Sequence, residues 1–335
     1  MIEQIHYAVR TFNPSKIKGK LYNGANAGSR RCRFCGKVLD ESHFTKIAHA
    51  ISVSLGNTKF FCSDECDECN ESFGHRLEND ITNFFQVFLS LYQIPKRDGT
   101  DRMVRGRNFE MQMGNDMNNL SDMPILRFHL SDWKDDFPSL HDISKLMNNL
   151  DLSNKTFVPQ NIYKAICKYA LSLMPHSLTM HFQKTIEWIK SDSYEVSLPR
   201  LKYASYGRVE KEPNLILFLR KTPNKYAPLC VVSLFVTNLH LLYVLPFCDE
   251  SEGTEFDNIG FDFFWRSLCH SAQNGPLDSL FSGYVEKSFN DCDFSDKKRA
   301  KLQFDMNFKI EDGVEPIRLH KDEVTGQLVI FEDVK

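Results

Sequence analysis

The chain has 335 residues, of which 42% are hydrophobic and 25% charged, with a formal net charge of −3. Those proportions exclude a disordered or fibrous chain and a protein that coats nucleic acid through a global positive field, and the length allows two domains. Charge is unevenly placed, however: residues 1–50 hold nine Lys or Arg against three acids, a balance of +6 that favours a polyanion partner for that end.

Residues 1–30 read as a basic lead-in. MIEQIHYAVR lacks a basic start followed by an apolar stretch and a small-residue cleavage site, so the expected location is cytoplasmic. There, ten cysteines would be reduced, and clustered thiols bind metal more often than they pair. Residues 31–95 form a cysteine-rich module that closes with a helix in which Leu77, Ile81, Phe84, Phe85 and Phe88 recur on one face. Residues 96–155 read as a polar connector, broken by Gly99, Gly106 and Gly114, with short strands at Met103–Phe109 and Ile125–Leu130.

Residues 156–335 read as a larger domain. Pro159 opens a helix whose Ile162, Ala165, Ile166, Tyr169 and Ala170 mark one face until Pro175 ends it. A second helix, Leu178 to Ile189, aligns Phe182, Ile186 and Ile189. Strands follow at Asn214–Leu219, Leu229–Val236, Leu239–Phe247, Gln303–Ile310 and Leu328–Phe331. The apolar run 229–247 approaches the length of a membrane span. Its Val, Leu and Phe content, with Thr237, Asn238 and His240 at the centre, fits two buried strands joined by a tight turn at Asn238 better. Trp188 and Phe263-Phe264-Trp265 read as core anchors, and His181, His240 and His270 as core or rim histidines. No phosphate loop, GxSxG elbow or dinucleotide fingerprint is present.

The strongest chemical signal is Cys32-x-x-Cys35 followed, after thirty intervening residues, by Cys66-x-x-Cys69. Two such knuckles can set four thiolates on a tetrahedron around one structural Zn2+, stabilising a segment too small for a core of its own. Gly36 allows the tight turn beneath the first knuckle, and Cys62, out of register, reads as a buried thiol. Between and after the knuckles stand Ala48-His49-Ala50-Ile51-Ser52-Val53-Ser54-Leu55-Gly56-Asn57 and Cys66-Asp67-Glu68-Cys69-Asn70-Glu71-Ser72-Phe73-Gly74-His75-Arg76-Leu77-Glu78. In order and spacing these resemble the HNH, or ββα-metal, endonucleases. The likeness is to the zinc-knuckle branch with CxxCG, AHxIPxxLGN and CDxCNxxFG motifs, as in stand-alone bacterial HNH proteins, and covers about 50 residues.

The resemblance implies an α+β protein: a small zinc-stapled ββα-metal module followed by a larger mixed helix-plus-antiparallel-sheet domain of unknown role. It implies hydrolysis of phosphodiester bonds, with double-stranded DNA the expected partner. His49 would act as general base, a task suited to an imidazole that titrates near neutrality. Asn57 matches the middle asparagine that holds the loop and orients the base. Asn70 would hold a catalytic Mg2+ or Mn2+ that stabilises charge building on the phosphate. Two positions depart from the pattern. Ala48 stands where many relatives carry a metal ligand, and Ser52 replaces a proline. A second ligand must therefore come from Glu78, Asp67, Glu65, His43 or additional water. Arg31, Arg33, Lys37, Lys46, Lys59 and Arg76 are expected to clamp phosphates, and His75 to face solvent. A role in antiviral defence or restriction rests on analogy alone, and a homo-oligomer or a defence partner protein stays open. The competing reading is a non-catalytic, zinc-stabilised nucleic-acid-binding protein; a zinc-stabilised protein-interaction scaffold is a third.

Overall fold

A computed structural model of the chain describes residues 7–24, 31–38, 41–105, 109–113, 124–128, 151–153, 155–194, 198–199, 201–221, 228–247, 284–285, 294, 297–300, 303–305, 318–321 and 328–331. The expected anchors Phe263-Phe264-Trp265 and the expected core histidine His270 lie outside these residues. The chain divides into two compact units, one of residues 1–82 and 157–300, the other of 83–156 and 301–335.

The first unit holds the cysteine module. A three-stranded sheet places β4 (Phe60–Cys62) between β2 (Leu21–Asn23), to which it runs parallel, and β3 (Ala48–His49), to which it runs antiparallel; β1 (Tyr7–Phe12) belongs to a different sheet. Helix α1 (Asp67–Phe73) begins at the second knuckle, with Cys66 as its N-cap and Asp67 and Glu68 in its first turn, where carboxylates favour the partially positive helix end. It continues through a π-helical turn, Gly74–Glu78, into α2 (Asn79–Leu91), of which residues 83–91 belong to the second unit. The helix expected from the spacing is thus present, and Leu77, Ile81, Phe84, Phe85 and Phe88 are all buried.

Helix α3 (Pro159–Leu173) differs from its expected one-faced form, because every one of its residues is buried. Its two charges can be enclosed because each has partners. Lys164 Nζ donates to the carbonyls of Ser191 (2.7 Å) and Ser193 (3.0 Å). Lys168 Nζ donates to the carbonyl of His49 (2.8 Å) and lies 3.1 Å from Glu65 Oε2. The second expected helix is broken into a short turn at His176–Thr179, a 3-10 turn at Met180–Phe182 and α4 (Gln183–Lys190).

The apolar run is one strand rather than two. β6 (Cys230–Val244) pairs antiparallel with β5 (Lys202–Arg220) from Cys230↔Leu219 to Leu242↔Lys202, and β1 covers the other edge of β5. What looked like a turn at Asn238 is a break in register between Phe235 and Leu239, with Thr237 at φ 55°. Pro213 of β5 falls in the unpaired stretch between Asn214 and Glu210. A proline has no N–H for the ladder, so the bulge sits where a continuous ladder would fail. Among the described residues no helix is long and apolar enough to cross a membrane.

In the second unit, strands Met103–Arg105, Phe109–Met113, Pro124–Phe128, Leu328–Phe331 and Arg318–Lys321 make an antiparallel sheet in that order. Strands Asp151–Ser153 and Gln303–Asp305 pair separately.

Within the first unit the cysteine module is fastened to the C-terminal end of α3. Arg33 Nη1 donates to the carbonyls of Leu171 (2.5 Å), Ser172 (3.1 Å) and Met174 (3.0 Å), and Asn23 Nδ2 to those of Ser172 (2.7 Å) and Met174 (3.0 Å). The guanidinium also meets Asp64 through two bonds, Nε to Oδ1 at 2.5 Å and Nη2 to Oδ2 at 2.9 Å, with both side chains fully buried. These contacts satisfy the orphan carbonyls of a helix end, and the cation complements its partial negative charge. Replacing Arg33 with Met should lower unfolding stability by about 3–5 kcal/mol, because Asp64 would be left buried without its cation. The Arg33→Met/Asp64→Leu double variant should recover part of the loss. Urea unfolding of wild type, Arg33→Met and the double variant measures both effects, and an Arg33→Met variant no less stable than the wild type would refute the assignment.

Candidate functional site

Cys32, Cys35, Cys66 and Cys69 come together, with their sulfurs all within 4.8 Å of one another and no disulfide between them. The first knuckle turns at Gly36, where φ is 71° and the amide donates to the Cys32 carbonyl (2.8 Å). The left-handed backbone there favours glycine. Cys35 Sγ and Cys66 Sγ are 3.7 Å apart. Sulfurs at about 2.3 Å from a tetrahedral zinc ion stand roughly 3.8 Å from each other, so this donor set fits that ion. A hydrogen bond from Cys69, with help from neighbouring amides, pulls Cys32 down to about 4 despite its burial. Burial pushes Cys66 up to about 12, and the bond to Cys32 together with burial raises Cys69. Without a cation, one thiolate forms at its neighbours' expense.

His49 lies beside this cluster in sequence order but on the sheet, half-buried, opposite Phe61 and with ring centroids 4.7 Å apart. Its backbone is held from below by Lys168. Burial alone would lower the pKa of that ammonium, but the charges of Glu65 and Glu78 hold it above its ordinary value. Burial pushes Glu65 up to about 7 even with Lys168 beside it. The loop before β3 is tied to α1 by Asp67, which accepts from Thr45 N (3.1 Å), Thr45 Oγ1 (2.6 Å) and Lys46 N (2.9 Å). Asn57 is buried in the loop after β3. Its Nδ2 donates to the carbonyls of Ile51 (2.6 Å) and Phe60 (2.9 Å), and its Oδ1 accepts from the amides of Lys59 (3.2 Å) and Phe60 (2.9 Å). Asn70 is half-buried on α1, and Glu78, at the end of the π turn, accepts from Ser52 Oγ (2.8 Å). Ser52, in the place of a proline, thus contributes a hydroxyl that proline could not. Ala48 is buried and offers no ligand atom. Among the described residues the four cysteines form the one cluster of three or more His, Cys, Asp or Glu donors.

The expected phosphate clamps separate into two kinds. Arg33 is inside the protein, as described. Arg76 donates to the carbonyls of Ile189 (3.0 Å), Lys190 (2.5 Å) and Ser191 (2.9 Å), closing the end of α4, and pairs with Asp192. Both arginines are occupied as helix caps, which corrects their expected surface role. Lys59 donates to the Pro14 carbonyl and pairs with Glu212. Arg31, Lys37 and Lys46 are exposed, with Lys37 beside Glu68 and Lys46 beside Glu71. Lys168 and Asp64 were missed from the sequence. The signal available for Lys168 was a lysine inside an otherwise apolar helix, four residues after Lys164.

A compact cluster of four thiols at the root of a helix, beside a small sheet, can hold a metal ion. A family profile described as HNH endonuclease matches residues 32–86, so the chain carries an HNH-family domain there. No curated protein and no solved structure matches the chain.

One zinc ion per chain is expected on metal analysis of the purified protein. Cys66→Ser should abolish that stoichiometry, while Cys167→Ser, a buried thiol of α3 outside the cluster, should not. Affinity should fall as pH is lowered, because Cys66 and Cys69 must lose their protons to bind. Full retention of zinc by Cys66→Ser would remove that thiol from the ligand set.

Proposed function

We propose that residues 32–86 are a metal-dependent HNH endonuclease of the ββα-metal type that hydrolyses phosphodiester bonds in DNA, with a structural Zn2+ on the four cysteines. The observation that carries this reading is the coincidence, within one matched segment, of the HNH profile and a thiolate cluster of zinc geometry. His49 acts as general base, taking a proton from the attacking water. Lys168 beneath its carbonyl and Asn57 in the following loop hold the strand that presents it. Asn70 and Glu78 are the residues that would hold a catalytic Mg2+ or Mn2+. Such an ion supplies stabilisation of the negative charge that develops on the phosphate. Two side-chain ligands, one of them already accepting a hydrogen bond from Ser52, suit a weakly held ion that keeps most of its water.

Ala48 favours a second reading, in which the domain binds nucleic acid without cutting it. Cleavage of supercoiled plasmid in a magnesium or manganese titration separates the two. His49→Ala should slow cutting by about 10²–10⁴ without loss of zinc or of nucleic-acid affinity. Asn70→Ala and Glu78→Gln should raise the metal concentration needed for half-maximal rate. Equal cutting by wild type and His49→Ala would remove His49 from the mechanism, and binding with no cutting at any metal concentration would establish the second reading.

A further inference from the structure

The sheet that carries His49 has two unlike faces. On one, Asn23, Cys62 and Ala48 face each other across the three strands, and Cys62 and Ala48 are buried. On the other, Tyr22 of β2 is directly opposite Phe61 of β4, which is directly opposite His49 of β3. Residues paired across a sheet project from the same side, so these three rings form one row. Their contacts bear this out: Tyr22 stacks on Phe61 with centroids 5.1 Å apart and planes at 21°, and His49 meets the same ring at 4.7 Å. Lys20 places its ammonium 5.2 Å from the centroid of Phe61. Phe61 is therefore covered, but Tyr22 remains 49% exposed at the outer end of the row.

An exposed tyrosine stacked in line with His49, and flanked by an ammonium, has more than a packing use. The segment that leads into β2 is basic, with Lys16, Lys18 and Lys20 exposed and no acidic residue between Tyr7 and Gly24. Two strand spacings, roughly 9.5 Å, separate Tyr22 from His49. That is the scale on which a base lies from the phosphate of an adjoining nucleotide. Aromatic rings beside backbone-tracking cations are how proteins hold unpaired bases, since every base has a π-face.

We infer that Tyr22 and Lys20 form a nucleotide subsite next to the scissile phosphate, in which Tyr22 stacks an unpaired base and Lys20 contacts the phosphate backbone. This rests on the nuclease reading of His49 and narrows it: the preferred substrate has an accessible base near the cut, as in a single strand, a flap or a bulge. A fully paired duplex offers Tyr22 no such face.

The test uses the full zinc-loaded chain without added magnesium or manganese. Its probes are three labelled oligonucleotides: a single strand, a blunt duplex and the same duplex with a one-base bulge. Wild type should prefer the single strand and the bulge. Tyr22→Ala should bind these two about 5- to 100-fold more weakly, the effect of losing one stacked base, with little change on the blunt duplex. Tyr22→Leu, which keeps an apolar group on Phe61 but no ring, should behave alike, and Tyr22→Trp should restore binding. Lys20→Ala should reduce the salt dependence of single-strand binding by about 0.7 in log–log slope, one phosphate contact. Zinc content and circular dichroism verify the fold of each variant. If wild type binds the probes and cuts plasmid in the metal titration, but both Tyr22→Ala and Tyr22→Leu match its binding on all three probes, the subsite is wrong and the nuclease reading stands. An equal loss on the blunt duplex also overturns stacking of an unpaired base. If wild type neither binds nor cuts any nucleic acid, the nuclease reading falls and the subsite with it.

Discussion

The cysteine module depends on a buried guanidinium. Arg33 sits between the two halves of the first knuckle, yet its side chain leaves the knuckle and caps α3, with Asp64 from the loop after β4 balancing its charge. A segment of this size has few apolar residues with which to hold itself together. A metal ion on the four thiols would fix its two cysteine pairs, and the arginine fixes its position against a helix more than a hundred residues downstream. Lys168 makes the reciprocal connection, from the helix back to the strand that carries His49. Each ion is buried with a counter-ion and with backbone carbonyls, the condition under which charge is tolerated inside a protein. His176 Nδ1, 3.1 Å from Asp64 Oδ2, adds a third element to the same junction.

What could be read from the sequence was what neighbouring residues decide. The knuckle spacing, the glycine after Cys35 and the helix after Cys66 are all local, and the thiols and the helix are where the spacing put them. Long-range partners were not legible. Arg33 and Arg76 look like members of a basic patch because the sequence alone does not show which carbonyls they reach. Their partners, the ends of α3 and α4, lie 138 and 113 residues away. The parallel pairing of β2 with β4 joins a stretch read as lead-in to the middle of the module, and so aligns Tyr22 with His49. The long strand β6 was divided in two for a related reason. Asn238 resembles a turn until β5, with its own proline opposite the irregularity, continues on both sides of it.

The site also shows why residue type alone is a poor guide to role. Three acidic residues were candidates for binding a catalytic ion, and each has a different setting. Glu65 is buried against Lys168, Asp67 is held by the backbone and hydroxyl of the loop before β3, and Glu78 receives the hydroxyl of Ser52. Asp64, which no motif singled out, is the one that neutralises Arg33. The local carboxylates therefore serve first to shape the strand and loops around His49. Glu78, half-buried at the end of the π turn, combines a tether with partial access, as does Asp67 at the start of α1.

The π turn between α1 and α2 has a rotational consequence. In an unbroken α-helix of 3.6 residues per turn, Glu78 would point about 80° away from Asn70 around the axis. The wider turn at Gly74–Glu78 advances less per residue and takes back much of that angle, bringing the two side chains toward a common azimuth. The same change of phase is carried by Ile81, which is thereby indexed to the knuckle in front of the turn. Gain or loss of a single residue in this stretch would rotate Ile81 about the axis by roughly a residue's 100°. In this rod, length and direction are one constraint.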